Sequence, residues 1–274
     1  MTSKLFDLTG KTALITGGAS GIGLAIAIGF AKQGAHVLVG SRTLEKVEGA
    51  VKEINNAASS KDGEPAAAGV ALDVTSDASV DRAVKKAVDV FGGLDILVNS
   101  AGIMHKQPVL ELDMADFDRV HATHVTGTLR CCKAAGQIMH EQHSGAIINI
   151  ASVSSFVDLV GVTPYAAAKN AVLGLTRSLA NEWAKNGVRT NAIAPGFIPT
   201  DINRKMIEGT DRGRRILECT PMGRFGTSDE LAGAAIYLAS DAASFVNGHT
   251  LIVDGGYLAC GIGDSFAPWA TPEE

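Results

Sequence analysis

The sequence predicts a single α/β domain, a seven-stranded parallel sheet doubly wound by helices on both faces. Three observations carry that expectation. Short apolar runs alternate with amphipathic stretches along the 274 residues. Hydrophobic residues make up 46% and there are 31 glycines, enough for a sizeable core with helices packed closely on a sheet. No internal repeat and no Pro- or Ser-rich linker divides the chain.

The elements follow in order. Residues 12–15 form an apolar run that ends in a Gly-rich turn and leads into a helical pattern over 22–32. A second run, 36–39, precedes a charged helical stretch at 44–55, and the small polar residues 57–65 read as a loop. Strand three, 69–72, leads to an amphipathic helix near 78–91, and strand four covers 95–98. One long helix, 116–141, strand five at 146–150 and a second long helix, 164–185, come next. Strands at 188–193 and 250–253 complete the sheet, with a helix near 230–239 between them. Residues 195–221 are long for a connection and read as a substrate lid. The core then runs over about 10–256, and 257–274 form a tail of the same domain.

Composition narrows the function. The formal charge is −5, with no basic stripe, so a nucleic-acid partner is not expected. Cys131, Cys132, Cys219 and Cys260 lack metal-ligand spacing and read as reduced packing residues, with no metal implied. No apolar run is long enough for a membrane span, and residues 1–10 lack a signal-peptide pattern. A reducing cytoplasm is the expected location.

The turn after the first strand reads Thr16-Gly17-Gly18-Ala19-Ser20-Gly21-Ile22-Gly23 and opens a helix. Backbone amides of Ser20 and Ile22 at a helix N-terminus suit a pyrophosphate. Gly17 permits the tight turn, Gly21 the approach of the phosphates, and Gly23 packing of helix on sheet, a Rossmann-like arrangement. At the end of strand two a carboxylate would receive ribose hydroxyls, but this chain has Gly40-Ser41-Arg42. A guanidinium suits a 2′-phosphate, so NADP is favoured over NAD; stacking of Arg42 on adenine is the alternative.

Tyr165 and Lys169 stand one helical turn apart on one face. An ammonium roughly 5 Å from the phenol favours the phenolate by about 3 kcal/mol. The phenol would then titrate close to the working pH and serve as acid and base.

The Gly-x-x-x-Gly-x-Gly spacing, Tyr-x-x-x-Lys, and Ser152 thirteen residues before the Tyr resemble the short-chain dehydrogenase/reductase family over about 10–256. Within it the chain resembles the gluconate 5-dehydrogenase and 2-deoxygluconate 3-dehydrogenase-like members. The resemblance implies a nicotinamide-dependent oxidoreductase interconverting a secondary alcohol and a ketone. It implies that Asp73, with Val74, contacts adenine. Asn99-Ser100-Ala101-Gly102 resembles the family's Asn-Asn-Ala-Gly motif, Ser100 replacing the second Asn. Pro195, Gly196, Ile198 and Thr200 match its nicotinamide-side loop, Lys169 would also bind the nicotinamide ribose, and Ser152 the substrate oxygen. His124 stands where the family's fourth catalytic member is an Asn. A backbone role, a titrating gate and a core histidine are all open for it.

His105 and Lys106 follow Gly102 and would bind a sugar-acid carboxylate, or else project into solvent. Asp201, Asn203 and Arg204 add polar groups suited to a sugar, sugar acid or other small polyhydroxylated substrate. A nucleotide-sugar epimerase or dehydratase, and a cofactor-bound regulator without turnover, are the competing classes. The two long helices carry Ala134, Ala135, Gly136, Ala171 and Gly174, and by resemblance they and strand seven imply a homotetramer.

Overall fold

The computed structural model describes residues 4–58 and 65–261. Residues 1–3, residues 59–64 of the expected loop and residues 262–274 of the expected tail lie outside them. The first half runs β1 (Thr12–Thr16), α1 (Gly21–Lys32), β2 (His36–Ser41), α2 (Leu44–Ala57), β3 (Ala67–Ala71), α3 (Asp77–Phe91) and β4 (Ile96–Asn99). Then come α4 (Met114–His121), α5 (Gly127–Gln142), β5 (Gly145–Ile150), α6 (Thr163–Trp183) and β6 (Val188–Pro195). The chain closes with α7 (Arg204–Ile207), α8 (Asp211–Glu218), α9 (Asp229–Ala239) and β7 (Thr250–Val253).

All seven strands are parallel, in the order β3-β2-β1-β4-β5-β6-β7. Winding reverses between β1 and β4, and the strand ends open a crevice there. Side chains alternate across the sheet. Ala13, Ile15, Val37, Val39, Ile96 and Val98 face one core, with Ile26, Phe30, Ile54 and Leu231 from α1, α2 and α9. Leu14, Leu38, Leu97 and Ile147 face the other, with Val80, Val84, Cys132 and Met139 from α3 and α5. Phe30 is fully buried, and truncating it to Ala would cost about 3–5 kcal/mol. Gly29 lets α1 approach α9, since a Cβ there would lie 2.9 Å from Ala232 Cβ.

Three details depart from the sequence expectation. Strand three starts at Ala67, because the Asn55 side chain accepts from Ala67 N (2.9 Å) and donates to Ala67 O (3.3 Å). The expected single helix over 116–141 is split by a π-helical turn, Ala122–Thr126, where the residue count per turn is raised. The connection over 195–221 carries α7 and α8, the latter capped by Thr210, whose hydroxyl accepts from Gly213 N at 3.0 Å. The small-residue face of the long helices also divides. Gly136 packs within the subunit against Trp183, whereas the Cβ position of Gly174 is open. Among the described residues no helix is long and apolar enough to cross a membrane.

Candidate active site

The crevice floor is built from two interlocked turns. Gly17 has φ +67°, and a Cβ there would lie 2.9 Å from Ala101 Cα, so only glycine fits between the turns after β1 and β4. Thr16 fastens them: its Oγ1 accepts from Ser100 N and Ala101 N, both at 3.1 Å. The motif reading assigned Thr16 no role; a hydroxyl ending an otherwise apolar buried strand was the available signal. Gly23 is needed because a Cβ would sit 2.6 Å from Gly17 O, so it packs on the turn rather than on the sheet. Gly21 has φ +53°, and a Cβ there would lie 3.3 Å from Thr200 Cγ2. Ser20 makes no side-chain cap bond and the first turn of α1 has no acidic residue, which leaves its amides for an anion.

On the adenosine side, Arg42 is exposed and Ser41 Oγ donates to Thr43 O at 3.3 Å. Asp73 accepts from Thr75 N (2.9 Å) and Thr75 Oγ1 (2.7 Å). These bonds, with the Arg42 and Arg130 charges, hold its carboxyl below the usual range. Val74 is buried under Gly127, and its carbonyl accepts from Arg130 Nη1 at 2.8 Å. The Asn99 side chain turns into the sheet. Its amide is buried in the sheet, donating to Asn149 Oδ1 (2.9 Å) and Cys132 Sγ (3.2 Å), while Asn149 donates to Thr176 Oγ1 (2.9 Å). That network ties β4, β5 and α6 beneath the site, and Asn149 and Thr176 carried no motif to reveal them.

The candidate reacting groups come from the end of β5 and the start of α6. Ser152 is buried; its Oγ accepts from Ser154 N at 3.1 Å and hydrogen-bonds with Tyr165. Lys169 is 6% exposed, lies 5.5 Å from the Tyr165 ring centroid, and donates to Ile150 O at 2.5 Å. Burial brings its ammonium down to about 7. The expectation that Lys169 lowers the Tyr165 pKa is corrected here: burial raises the phenol, opposed only by hydrogen bonding with Ser152.

His124 lies in the π-helical turn, 3% exposed, with its ring edge-on to Tyr165 at 5.4 Å between centroids. Burial first, and then the Lys169 charge, lowers its pKa to about 3. That direction argues against a gate titrating near neutral pH.

On the nicotinamide side, Gly196 N donates to Val253 O (2.9 Å) and a Cβ there would meet Asp254 Cα at 2.6 Å. Pro195 ends β6. Asn203 holds the loop: it accepts from Thr200 N (2.8 Å) and donates to Ile198 O (3.0 Å). Arg204 pairs with Glu208 at 2.7 Å. Both were expected to offer polar groups to a substrate, and both are instead engaged within the loop. His105 bonds Gln107 Oε1 (3.0 Å) and approaches Asp116 Oδ2 (3.6 Å), while exposed Lys106 lies along Gly161. A separate cavity of about 510 Å³, lined by Phe197, Thr220, Met222 and Gly255 among others, sits under the connection after β6 without reaching the triad. Among the described residues no group of three or more His, Cys, Asp or Glu could hold a metal ion.

A Gly-cradled crevice at a strand-order switch, with Ser, Tyr and Lys at its edge, defines the class of nicotinamide-dependent oxidoreductases. Residues 17–258 match the family model described as enoyl-(acyl carrier protein) reductase. The chain is 41% identical over 252 residues to D-threitol dehydrogenase of Mycolicibacterium smegmatis, covering 92% of this chain and 94% of that one. It is 38% identical over 256 residues to 5-keto-D-gluconate 5-reductase of Escherichia coli, covering 93% and 98%. Gluconate 5-dehydrogenase of Burkholderia cenocepacia, solved with NADP and tartrate, superposes with a TM-score of 0.87 at 37% identity, covering 94% and 99%. The chain belongs to the short-chain dehydrogenase/reductase family.

Proposed function

We propose that this protein is an NADP-preferring dehydrogenase that interconverts a secondary alcohol and a ketone on a sugar, sugar acid or other small polyhydroxylated substrate. The observation that carries the reading is the convergence of Ser152, Tyr165 and Lys169 beside the Gly17 and Gly21 cradle, in a chain whose relatives act on threitol and gluconates. The cradle and the α1 N-terminus would hold the pyrophosphate, Ser41 and Arg42 the 2′-phosphate, and Lys169 the nicotinamide ribose. The bound nicotinamide supplies or accepts the hydride.

The chain's own residues handle the oxygen and its proton. Ser152, its acceptor side occupied by Ser154 N, donates to the substrate oxygen. Tyr165 delivers a proton to that oxygen in reduction and removes it in oxidation. Burial raises its pKa, so the phenol carries the proton that reduction delivers. An intact triad argues against a regulator without turnover. The protein acts as a homotetramer in the cytoplasm on this reading. Nicotinamide absorbance followed with polyols, aldonates and their keto forms, with NADPH and NADH in parallel, tests it. Turnover on none of them overturns the reading, and turnover on simple ketones alone overturns the substrate class.

A further inference from the structure

The His124 imidazole touches both halves of the site described above. Its Nε2 lies 3.0 Å from Ile103 N and 2.7 Å from Ile103 O, so it accepts from one or donates to the other according to tautomer. Its ring edge meets the Tyr165 ring at an interplanar angle of 89°. On a third side it sits on Gly102: a Cβ at that glycine would lie 2.6 Å from His124 Cε1, and the nearest atoms around it are all of this one ring. The π-helical turn Ala122–Thr126 is the local device that delivers the side chain there.

We propose that His124 is a positioning residue, paired with Gly102, which fixes the backbone at Gly102 and Ile103 against the Tyr165 ring. The glycine is required because the imidazole occupies the space of a Cβ, and the imidazole is required because it bonds the backbone that the glycine frees. The ring cannot step aside, being held by Ile103 on one side and Tyr165 on another. The groups that face it are Lys169 and Tyr165 on α6, Ile103 after β4, and His121 on its own helical segment. Lys169 and burial keep it neutral through the pH range in which Tyr165 and Lys169 work.

The inference rests on the proposed function for its kinetic readout but not for its structural one. Three variants, Gly102→Ala, His124→Asn and the double variant, form a cycle. Unfolding midpoints and NADPH affinity are measured for each, with kcat and KM on whichever compound the substrate panel identifies. Gly102→Ala alone lowers affinity and kcat by about tenfold or more; in the His124→Asn background, where the shorter amide still reaches Ile103, it costs about threefold or less. His124→Phe keeps the ring, loses the Ile103 bond, and drops kcat with KM little changed. With ¹⁵N-labelled histidine, the resonance that vanishes in His124→Asn stays at its neutral shift from about pH 5 to 9. Equal Gly102→Ala losses in both backgrounds, in midpoint as in affinity, overturn the pairing. A resonance for His124 that titrates near neutral pH overturns the positioning role. Failure of any preparation to bind NADPH, with the unfolding cycle still coupled, overturns the cofactor reading and leaves the pair standing.

Discussion

Replacing Lys169 by Met isolates the cost of burying an amine at the bottom of the crevice. In the folded chain burial brings Lys169 from the ordinary 10.5 to about 7, whereas in the unfolded chain it titrates near 10.5. The folded state therefore binds fewer protons than the unfolded one across that window, and stability rises with pH through it. Each pH unit contributes about 1.4 kcal/mol, so the whole window is worth roughly 4–5 kcal/mol. Met fills a similar volume without titrating. It also leaves Ile150 O without its 2.5 Å partner, which adds a pH-independent offset. Urea unfolding of both proteins, at one protein concentration and without cofactor, is measured at about pH 6, 7.5 and 9. The stability difference, wild type minus Lys169→Met, is flat near pH 6 and grows by about 1.4 kcal/mol per unit well above pH 7. His124, whose pKa the Lys169 charge lowers, is also burial-depressed below this window, and groups remote from Lys169 titrate alike in both chains and cancel. A difference that is constant from pH 6 to 9 would falsify the claim that burial controls this lysine.

Other outcomes follow from the same geometry. Tyr165→Phe abolishes turnover while NADPH affinity, read by fluorescence, stays nearly unchanged; a residual rate above about a tenth refutes the assignment of the phenol as proton donor. Ser41→Asp moves preference from NADP toward NAD, measured as the ratio of kcat/KM values, and an unmodified protein already preferring NAD by about tenfold (~1.4 kcal/mol) contradicts the role given to Arg42. Asn149→Leu takes one partner each from the Asn99 amide, which keeps Cys132 Sγ, and from the Thr176 hydroxyl, which keeps Val172 O, and lowers stability by about 1–3 kcal/mol in denaturant titration; a loss under about 0.5 kcal/mol shows that the network is dispensable. Light scattering at micromolar concentration gives a tetramer, and a mass near the 28.3 kDa monomer refutes the assembly.

Much of the molecule is legible without coordinates. The seven strands, the helices between them that make the sheet parallel, and the Gly-rich turn show in the chain because each depends on neighbours a few residues apart. Hydrophobic period, turn glycines and helix starts are local quantities. Tyr165 and Lys169 were legible for the same reason, one turn of helix placing both on a single face. Ser152 was found through family spacing, a pattern that long-range packing had already shaped.

What the sequence determined by itself is therefore the fold class, the Gly-rich turn after the first strand, and the three candidate reacting side chains. Only the tertiary structure decided how those side chains are charged and which polar groups are free. Asn203, Arg204 and His105 each have a protein partner that the sequence does not show: Ile198 O, Glu208 and Gln107. The Tyr165 phenol was expected to fall in pKa and instead rises, because desolvation depends on everything packed around a group and not on the charge nearest in sequence. His124 looked like a departure from a motif, and its meaning depends on Gly102, Ile103 and Tyr165, brought to it by three different elements. Side-chain identity is a property of the chain, whereas burial and partnership arise when distant segments close on one another.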